Sequence, residues 1–414
     1  MQYDEARMHA VRIIESLRSG VPTRLCTREM PDVRPELVST IRNDLEAFAR
    51  GQVPVGRLVW GEYGQGKSHL LTTAEHMALD MGFCVSFVSL SREVSLHSLF
   101  HFYRRVAPVL RTAHSKVPGL QWQLARRKAS DLASSPIVDP ERYGHRRPAV
   151  ALELLLTCGG DEESYYNLYN DLMGYRLPAG EMRHIARRVG MEHLLRGLPR
   201  FKHEHAQAYF GVLADVVCWC GYKGWVILID EVELIARLGR VSRLKAYRNL
   251  HWLLNWDDEM PYPIYVLGAA ATSLQDIWYA NGKGAGRRVP DQVGIPQLAQ
   301  LRMGRQAAAQ MREFFEFAVS DHNPTIGPVS REAVLPLLKR LVELHAQAHA
   351  WAPPTSEEWL RQVTAALPDD TKLRTYIRYL LEVLDQLRLT GKIPELAVEP
   401  ISEPLADLDE PASR

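Results

Sequence analysis

A chain of 414 residues is too long for one small hydrophobic core, so we expect two or three domains. The net charge of +1 excludes a globally basic nucleic-acid-binding protein and leaves only local patches for such a contact. No run of about 18 apolar residues is present, which argues against a membrane partner. The charged N-terminus does not read as a signal peptide, and the five cysteines form no CxxC pair, so we expect a cytoplasmic protein.

The first part of the chain predicts two helices followed by a β–loop–α–β unit. Apolar residues at helical spacing predict a helix over 5–18, and a second one is expected at about 34–49. The segment GRLVWG reads as a short buried strand that ends at Gly61, the segment 67–82 as a helix, and 83–91 as a second strand. This order is typical of a parallel sheet with helical crossovers.

The phosphate-binding pattern G-x-x-x-x-G-K-[ST] is met by the segment GEYGQGKS, between the predicted strand and the predicted helix. Glycines let the backbone N–H groups turn toward phosphate oxygens, and a helix N-terminus favours anions. Lys67 adds a charge for the β- and γ-phosphates, and Ser68 a hydroxyl for Mg²⁺. The alternative is a glycine turn with an ordinary lysine at a helix start. We expect ATP and Mg as cofactors, with the nucleotide held by Gly61, Glu62, Tyr63, Gly64, Gln65, Gly66, Lys67, Ser68 and His69.

Glu62 does not fit the expected chemistry of this loop. A carboxylate gains nothing from facing phosphates, so we expect Glu62 to point away from them. It then either meets a basic neighbour or partner or is simply exposed to solvent.

The middle of the chain predicts a helical insertion and a strand that ends in two acids. Residues from about 96 to 220 are mostly helical, which is long for one crossover. The run 224–234 follows, in which Asp230 and Glu231 end four apolar residues. Asp230 is expected to help hold Mg²⁺, and Glu231 to polarise the attacking water as a general base. Glu231 thus favours hydrolysis over storage, whereas Glu233 is explained as well by a solvated or ion-paired role.

Three further parts of the chain carry candidates for contacts with the γ-phosphate. The apolar run 262–273 predicts a strand whose end carries Thr272, our first choice, and Ser273, our second. Their alternative role is to cap the next turn. Arg288, with Arg287, follows a Gly-rich loop and is a candidate for an arginine offered to a neighbouring subunit, or else a solvated loop residue. Arg374 begins a late predicted helix and is placed to reach back to the phosphates.

The layout resembles an AAA+ ATPase of the branch that includes initiators of the origin-recognition type. More narrowly, the segments RIIESLRSGVP, GEYGQGKSHLL, GYKGWVILIDEVEL and KLRTYIRYLLEVLD are similar to the ATP-binding proteins of BREX (bacteriophage exclusion) defence systems, nearest the short, BrxD-like type. The resemblance implies a three-layer α/β P-loop core with a parallel sheet, a large helical insertion and a C-terminal helical lid. It also implies an ATPase that loads or remodels a helicase-like DNA-processing partner in antiviral defence, as a homo-oligomer such as a hexameric ring.

The resemblance also assigns roles and domain bounds. It makes Lys67 and Ser68 the nucleotide and Mg²⁺ contacts, Asp230 the Mg²⁺ acid, Glu231 the base and Arg374 the lid arginine, and it puts Arg18 to Pro22 near the adenine. Such lids often carry a Pro-Arg pair, but Leu373 precedes Arg374 here, and the loop before Arg288 matches no pattern that fixes an arginine finger. The expected division is an N-terminal helical segment beside the nucleotide (1–50), the core (51–95 and 221–300), the insertion (96–220), the lid (301–392) and a disordered acidic tail (393–414).

Other readings of the chain remain open at this point. The basic stretches QLARRK, GHRRP and RHIARR lie in the insertion and predict a DNA contact there, although most charge runs are solvated faces. The histidines of the insertion fit no metal-site spacing. The alternative function is a nucleotide-gated scaffold or DNA-binding module with negligible turnover. A small-molecule kinase is disfavoured, because the predicted lid follows the last predicted strand.

Overall fold

The computed structural model describes residues 2–19, 23–113, 115, 117–139, 141–254, 262–279 and 289–392. The described helices are α1 (Gln2–Ser19), α2 (Arg24–Glu29), α3 (Pro35–Ala49), α4 (Lys67–Asp80), α5 (Leu99–Val106), α6 (Gln121–Leu124), α7 (Arg147–Thr157), α8 (Glu162–Leu172), α9 (Ala179–Arg188), α10 (Ala206–Trp219), α11 (Arg240–Leu254), α12 (Ser273–Tyr279), α13 (Asp291–Met303), α14 (Arg305–Ala318), α15 (Arg331–His349), α16 (Glu357–Thr364) and α17 (Leu373–Thr390). None of them combines the length and the apolar composition that crossing a membrane requires.

The centre of the fold is a five-stranded parallel sheet. Its strands lie in the spatial order β2-β3-β4-β1-β5. The bounds are β1 (Arg57–Gly61), β2 (Cys84–Ser89), β3 (Trp225–Asp230), β4 (Ile264–Ala271) and β5 (Thr325–Ile326). The prediction of an α/β fold with a parallel sheet is confirmed, and the four longer strands fall inside the predicted runs.

Both faces of the sheet are covered, which explains why its strands read as continuous apolar runs. Successive side chains of a strand point to opposite faces. In β3, Trp225, Ile227 and Ile229 pack in the cluster that includes the insertion helices, and Val226 and Leu228 pack in a second cluster with α3 and α4. The result is three layers, with the sheet in the middle.

The parallel arrangement brings the chemically interesting residues to one edge of the sheet. Gly61, the last residue of β1, pairs with Ala271, so the phosphate-loop candidate begins beside Thr272. Asp230 ends β3 and pairs with Ser89 of β2. Because β4 lies between β1 and β3, the strand that precedes Thr272 separates the loop from the acidic strand end.

The last three helices form a separate hydrophobic cluster with the N-terminus. α15, α16 and α17 pack with α1 and α2, and Ile13 and Ile14 of α1 are fully buried there. The sequence-based boundary at residue 300 falls inside α13, and Phe314 of α14 belongs to the sheet cluster. β5 also pairs with β1. We therefore propose that the lid begins near residue 329, since helical periodicity alone does not tell which cluster a helix joins.

Candidate functional site

The loop after β1 has the conformation that its glycines permit. Gly64 and Gly66 have φ values of +83° and +94°, in the left-handed region that side chains disfavour. Gly66 is also the N-cap of α4 and offers no side chain to the first N–H groups of this helix. These groups are therefore available to an anion, which is the arrangement that phosphate sites use.

Lys67 folds back over the loop that precedes it. Its Nζ donates hydrogen bonds to the carbonyl oxygens of Gly61 at 2.9 Å and Glu62 at 3.0 Å, and the residue is buried. The ammonium group is thus held at the mouth of the loop. A cation at this point adds to the positive end of the α4 dipole.

Ser68 and Asp230 meet although they are 162 residues apart in the chain. The Ser68 hydroxyl donates to Asp230 Oδ2 at 2.6 Å, and Asp230 Oδ1 accepts the backbone N–H of Glu231 at 2.9 Å. Asp230 is buried at the end of β3. A hydroxyl and a carboxylate are oxygen donors of the kind that Mg²⁺ takes in proteins, so these two residues fit a Mg²⁺ site.

Glu231 has two features that set it apart from an ordinary glutamate. Its φ of +58° lies in the left-handed region, a strained conformation for a residue with a side chain. Burial raises the pKa of its carboxyl, as do the neighbouring Glu233 and Asp230 carboxylates, whereas Lys67 and Arg237 lower it. Strain and a raised pKa on a residue that lines a pocket mark a candidate for acid–base chemistry.

Hydrogen bonds of two polar residues link the ends of β1, β3 and β4. The backbone N–H of Thr272 donates to the Gly61 carbonyl at 3.3 Å, and Thr272 is half-buried. Glu233 Oε2 accepts the N–H of Ala271, the last residue of β4, at 2.9 Å. Thr272 lies at the predicted edge but is not among the described residues that line the pocket, whereas Glu233 is.

The start of α17 and the residue before it contact the phosphate loop at Glu62, Tyr63 and Gly64. Lys372 Nζ lies 3.3 Å from Glu62 Oε2. The Arg374 guanidinium lies over the Tyr63 ring at 4.8 Å from its centroid, and the Arg374 N–H donates to the Gly64 carbonyl at 3.3 Å. Glu62 therefore points toward a basic neighbour, and Arg374 lies beside the loop.

A pocket opens between the loop, the acidic strand end, the N-terminal helices and the lid. Its polar side is formed by Lys67, Ser68, Asp230, Glu231 and Arg374. Its apolar side is formed by residues of α1, α2, the lid and the segment after α2: Leu17, Cys26, Met30, Leu337, Leu373 and Ile377. A pocket that is ionic at one end and apolar at the other suits a phosphorylated ligand that carries a planar ring.

His69 lies at the junction of these two sides. Its Nε2 is buried and has no hydrogen-bond partner among the described residues. Burial, together with the positive charge of Arg34 and the neighbouring His76, lowers the pKa of His69 to about 4. The ring is therefore neutral near pH 7 and has a nitrogen available to a ligand. Gln65 likewise has a buried Oε1 without a partner in the described part of the chain.

Some predicted positions fall outside the described residues. Arg287 and Arg288 do, as do Gly20, Val21 and Pro22 of the segment expected near the adenine. Arg18 is described, and its guanidinium pairs with Asp385 of α17 at 2.6 Å.

A second cluster of metal-ligating residue types lies in the lid, but its hydrogen bonds do not suit a metal. His345, His349 and Asp385 have potential ligand atoms within 4.8 Å of one another. The Trp351 indole, which can only donate, bonds to His345 Nδ1 at 2.9 Å, so His345 Nε2 carries the proton and donates to Asp385 at 3.0 Å. A metal at Nε2 would need to displace this proton and leave an imidazolate. We therefore interpret the cluster as a hydrogen-bonded link between α15 and α17.

Two of the three basic stretches of the insertion are engaged within the chain. Arg187 pairs with Glu192 and Arg188 with Asp161. Arg147 is buried and contacts Asp171. Arg146 and Arg183, in the same two stretches, have no ion pair with a described residue, and neither do the three adjacent cations at 126–128.

The parallel sheet, the glycine loop at a helix N-terminus and the Ser68–Asp230 contact define the class of nucleotide-binding α/β proteins with a phosphate-binding loop. A family model described as BREX system ATP-binding protein BrxC/D matches residues 6–121 and 199–283. The chain belongs to this family, which confirms the resemblance and implies a role in BREX defence. The matched segments contain the phosphate loop, Asp230, Glu231 and Thr272. Comparison with curated proteins and with solved structures gave no significant match.

Proposed function

We propose that the protein is an AAA+ ATPase that binds ATP with Mg²⁺ and hydrolyses it. The observation that carries this proposal is the 2.6 Å contact between Ser68 and Asp230, with Glu231 directly after Asp230. It joins the phosphate-loop helix to the end of β3 and sets a potential base next to a potential Mg²⁺ ligand.

The phosphates are bound by the loop and by Lys67 in this proposal. The first N–H groups of α4 receive the anionic oxygens, and Lys67 Nζ turns from the Gly61 and Glu62 carbonyls to the β- and γ-phosphates. Ser68 and Asp230 would hold Mg²⁺, which would supply positive charge to the phosphate oxygens. Release of the Ser68–Asp230 hydrogen bond leaves both oxygens available as ligands.

Glu231 acts as the general base for the attacking water. A carboxylate with a raised pKa is a stronger base than an ordinary glutamate. Thr272 is the proposed partner that orients the water or the γ-phosphate, and its position after β4, between β1 and β3, supports this role. Arg374 is proposed to move between the Tyr63 ring and the phosphates as the lid opens and closes.

The adenine is proposed to lie on the apolar side of the pocket. Leu17 of α1, Met30 and Ile377 of α17 supply surface for a planar ring. His69 Nε2 then forms a hydrogen bond with the edge of the base, which gives this buried nitrogen a partner.

In the cell, we place this hydrolysis in BREX antiviral defence, where it loads or remodels a helicase-like, DNA-processing partner. The proposed assembly is a homo-oligomer such as a hexameric ring, with Arg288 offered to the neighbouring nucleotide. The order of motifs and the BREX family support the proposal. More narrowly, we propose that the protein is of the short, BrxD-like type. Five free thiols are consistent with a cytoplasmic location.

Phosphate release by wild type, Glu231→Gln and Glu62→Gln tests the proposal, with and without DNA. Glu62 is the matched control because it is a loop carboxylate whose side chain is 63% exposed and paired with Lys372. We expect turnover to fall roughly 10²- to 10⁴-fold in Glu231→Gln only. Equal, negligible release by wild type and Glu231→Gln under every condition would instead support the nucleotide-gated scaffold.

A further inference from the structure

One side of the insertion carries aromatic rings covered by arginines. Trp122 of α6 is 71% exposed, and the Arg126 guanidinium lies 5.7 Å from the centroid of its ring. Arg127 lies over the Trp219 ring at 5.0 Å, and Lys128 follows in sequence. We call these five residues the cation–aromatic patch.

The patch differs from the pair Arg187 and Arg188 in its charge balance, and it has three cations in a row. Arg126, Arg127 and Lys128 have no described carboxylate within ion-pair distance of their side chains, whereas Arg187 and Arg188 each pair with one. The nearby Asp131 carboxylate accepts a hydrogen bond from the Lys128 backbone N–H at 3.1 Å, so one of the two Asp131 oxygens is already occupied. Arg126 and Lys128 are exposed, and Arg127 is half-exposed, beside the exposed Trp122 indole.

The patch lies at the edge of the sheet opposite the candidate nucleotide site. Trp219 ends α10, six residues before β3 begins at Trp225. Gln123, next to Trp122, donates to the Tyr222 hydroxyl at 2.9 Å, and Lys223 bonds to Gly82 just before β2. Asp230 is the last residue of β3 and Glu231 follows it, so β3 runs from the cation–aromatic patch to the candidate nucleotide site.

The family model does not extend over most of the patch. The matched segments end at residue 121 and resume at 199, so Trp122, Arg126, Arg127 and Lys128 fall in the unmatched stretch. A single exposed tryptophan is common on protein surfaces, but Trp122 lies beside three cations without an ion pair in the described part of the chain, so a ring face and positive charge are offered together. A ligand that stacks on the indole and neutralises the cations would use both features.

We propose that the cation–aromatic patch binds single-stranded nucleic acid. An unpaired base stacks on Trp122, and Arg126, Arg127 and Lys128 bind the phosphates on either side. Stacking between neighbouring base pairs in a duplex hides the ring faces that Trp122 would contact, which favours single strands. Protein interfaces also use tryptophan and arginine, but three adjacent cations with no acidic counterpart suit a polyanion better. The proposal does not require ATP turnover.

Fluorescence anisotropy with a labelled oligothymidylate of about 20 nucleotides tests this site on the full chain. We expect Trp122→Ala to weaken binding roughly 5- to 150-fold, and Trp122→Phe to restore most of the affinity, because stacking needs a ring. Arg126→Gln with Arg127→Gln should lower the slope of log affinity against log salt by about 1.4, about 0.7 for each lost phosphate contact. Arg187→Gln with Arg188→Gln is the matched control and should change neither value.

The outcomes separate this site from the proposed ATPase. Glu231→Gln should bind the strand as wild type does, and Trp122→Ala should release phosphate from ATP at the wild-type basal rate. A duplex of the same length should bind more weakly and respond to the arginine variants only. Absent strand binding, or strand binding that ignores the Trp122 and Arg126/Arg127 variants, would overturn the proposal, and the latter result is what a protein partner on this surface predicts.

Discussion

Replacing Gly66 with alanine should weaken nucleotide binding without preventing folding, and Gly51→Ala is the matched control. Gly66 and Gly51 have φ values of +94° and +85°, and an L-residue in that conformation costs roughly 1–2 kcal/mol. A Cβ at Gly51 would meet no heavy atom within 4 Å, whereas one at Gly66 would lie 3.4 Å from Leu373 Cδ2 and 3.5 Å from an Arg34 guanidinium nitrogen. We expect both variants to lose about 1–2 kcal/mol of stability, with Gly66→Ala at the larger end.

The two variants should respond differently to ATP. Gly66 caps α4, so a shift in its backbone misaligns the N–H groups proposed to bind phosphate. ATP with Mg²⁺ at about 100 times its Kd should stabilise wild type and Gly51→Ala by about 2.7 kcal/mol. A 30-fold weaker Kd would leave about 0.9 kcal/mol in Gly66→Ala at the same ATP concentration.

Thermal unfolding followed at a series of ATP concentrations measures this difference directly. The reasoning fails if Gly66→Ala keeps the full stabilisation by ATP. It also fails if Gly51→Ala loses that stabilisation, because left-handed strain far from the loop would then be sufficient to abolish binding.

Four further predictions concern the same pocket. Lys67→Ala should abolish ATP binding in equilibrium dialysis, and retained tight binding would contradict the phosphate role of Lys67. His69→Leu should lower the preference for ATP over other nucleoside triphosphates roughly 2- to 13-fold in competition binding, the worth of one hydrogen bond. Because its pKa is about 4, His69 should leave ATP affinity flat between about pH 6 and 8, and a break in that range would contradict the neutral ring. Turnover should decline as pH falls through the raised pKa of Glu231, hence at a higher pH than the ordinary glutamate value of about 4.3. A pH–rate profile whose acid limb lies at or below that value would count against Glu231 as the base.

Local sequence pattern was enough to predict the sheet and the loop. The four longer strands are apolar on both faces, so they stand out as continuous runs, and the glycine spacing of the loop follows from phosphate geometry. The meeting of Ser68 and Asp230 was also foreseeable, because carboxyl ends of parallel strands share one edge.

Contacts that depend on long-range packing were not foreseeable. β5 has two residues and carries no periodic signal, and α14 joins the sheet cluster although its pattern resembles that of the lid helices. The contacts of Glu62 with Lys372 and of Tyr63 with Arg374 join positions about 310 residues apart. Likewise, the sequence alone does not show that Arg187 and Arg188 form ion pairs within the chain, because their partners become known only from the structure.

The link between Glu231 and hydrolysis is the central claim, and a single-turnover measurement tests it most directly. Enzyme in excess over ATP with Mg²⁺ is followed for both nucleotide binding and phosphate formation, in wild type and in Glu231→Gln. The account predicts that the variant binds ATP about as tightly as wild type and forms phosphate roughly 10²- to 10⁴-fold more slowly. Phosphate formation at the wild-type rate in the Glu231→Gln variant would contradict it.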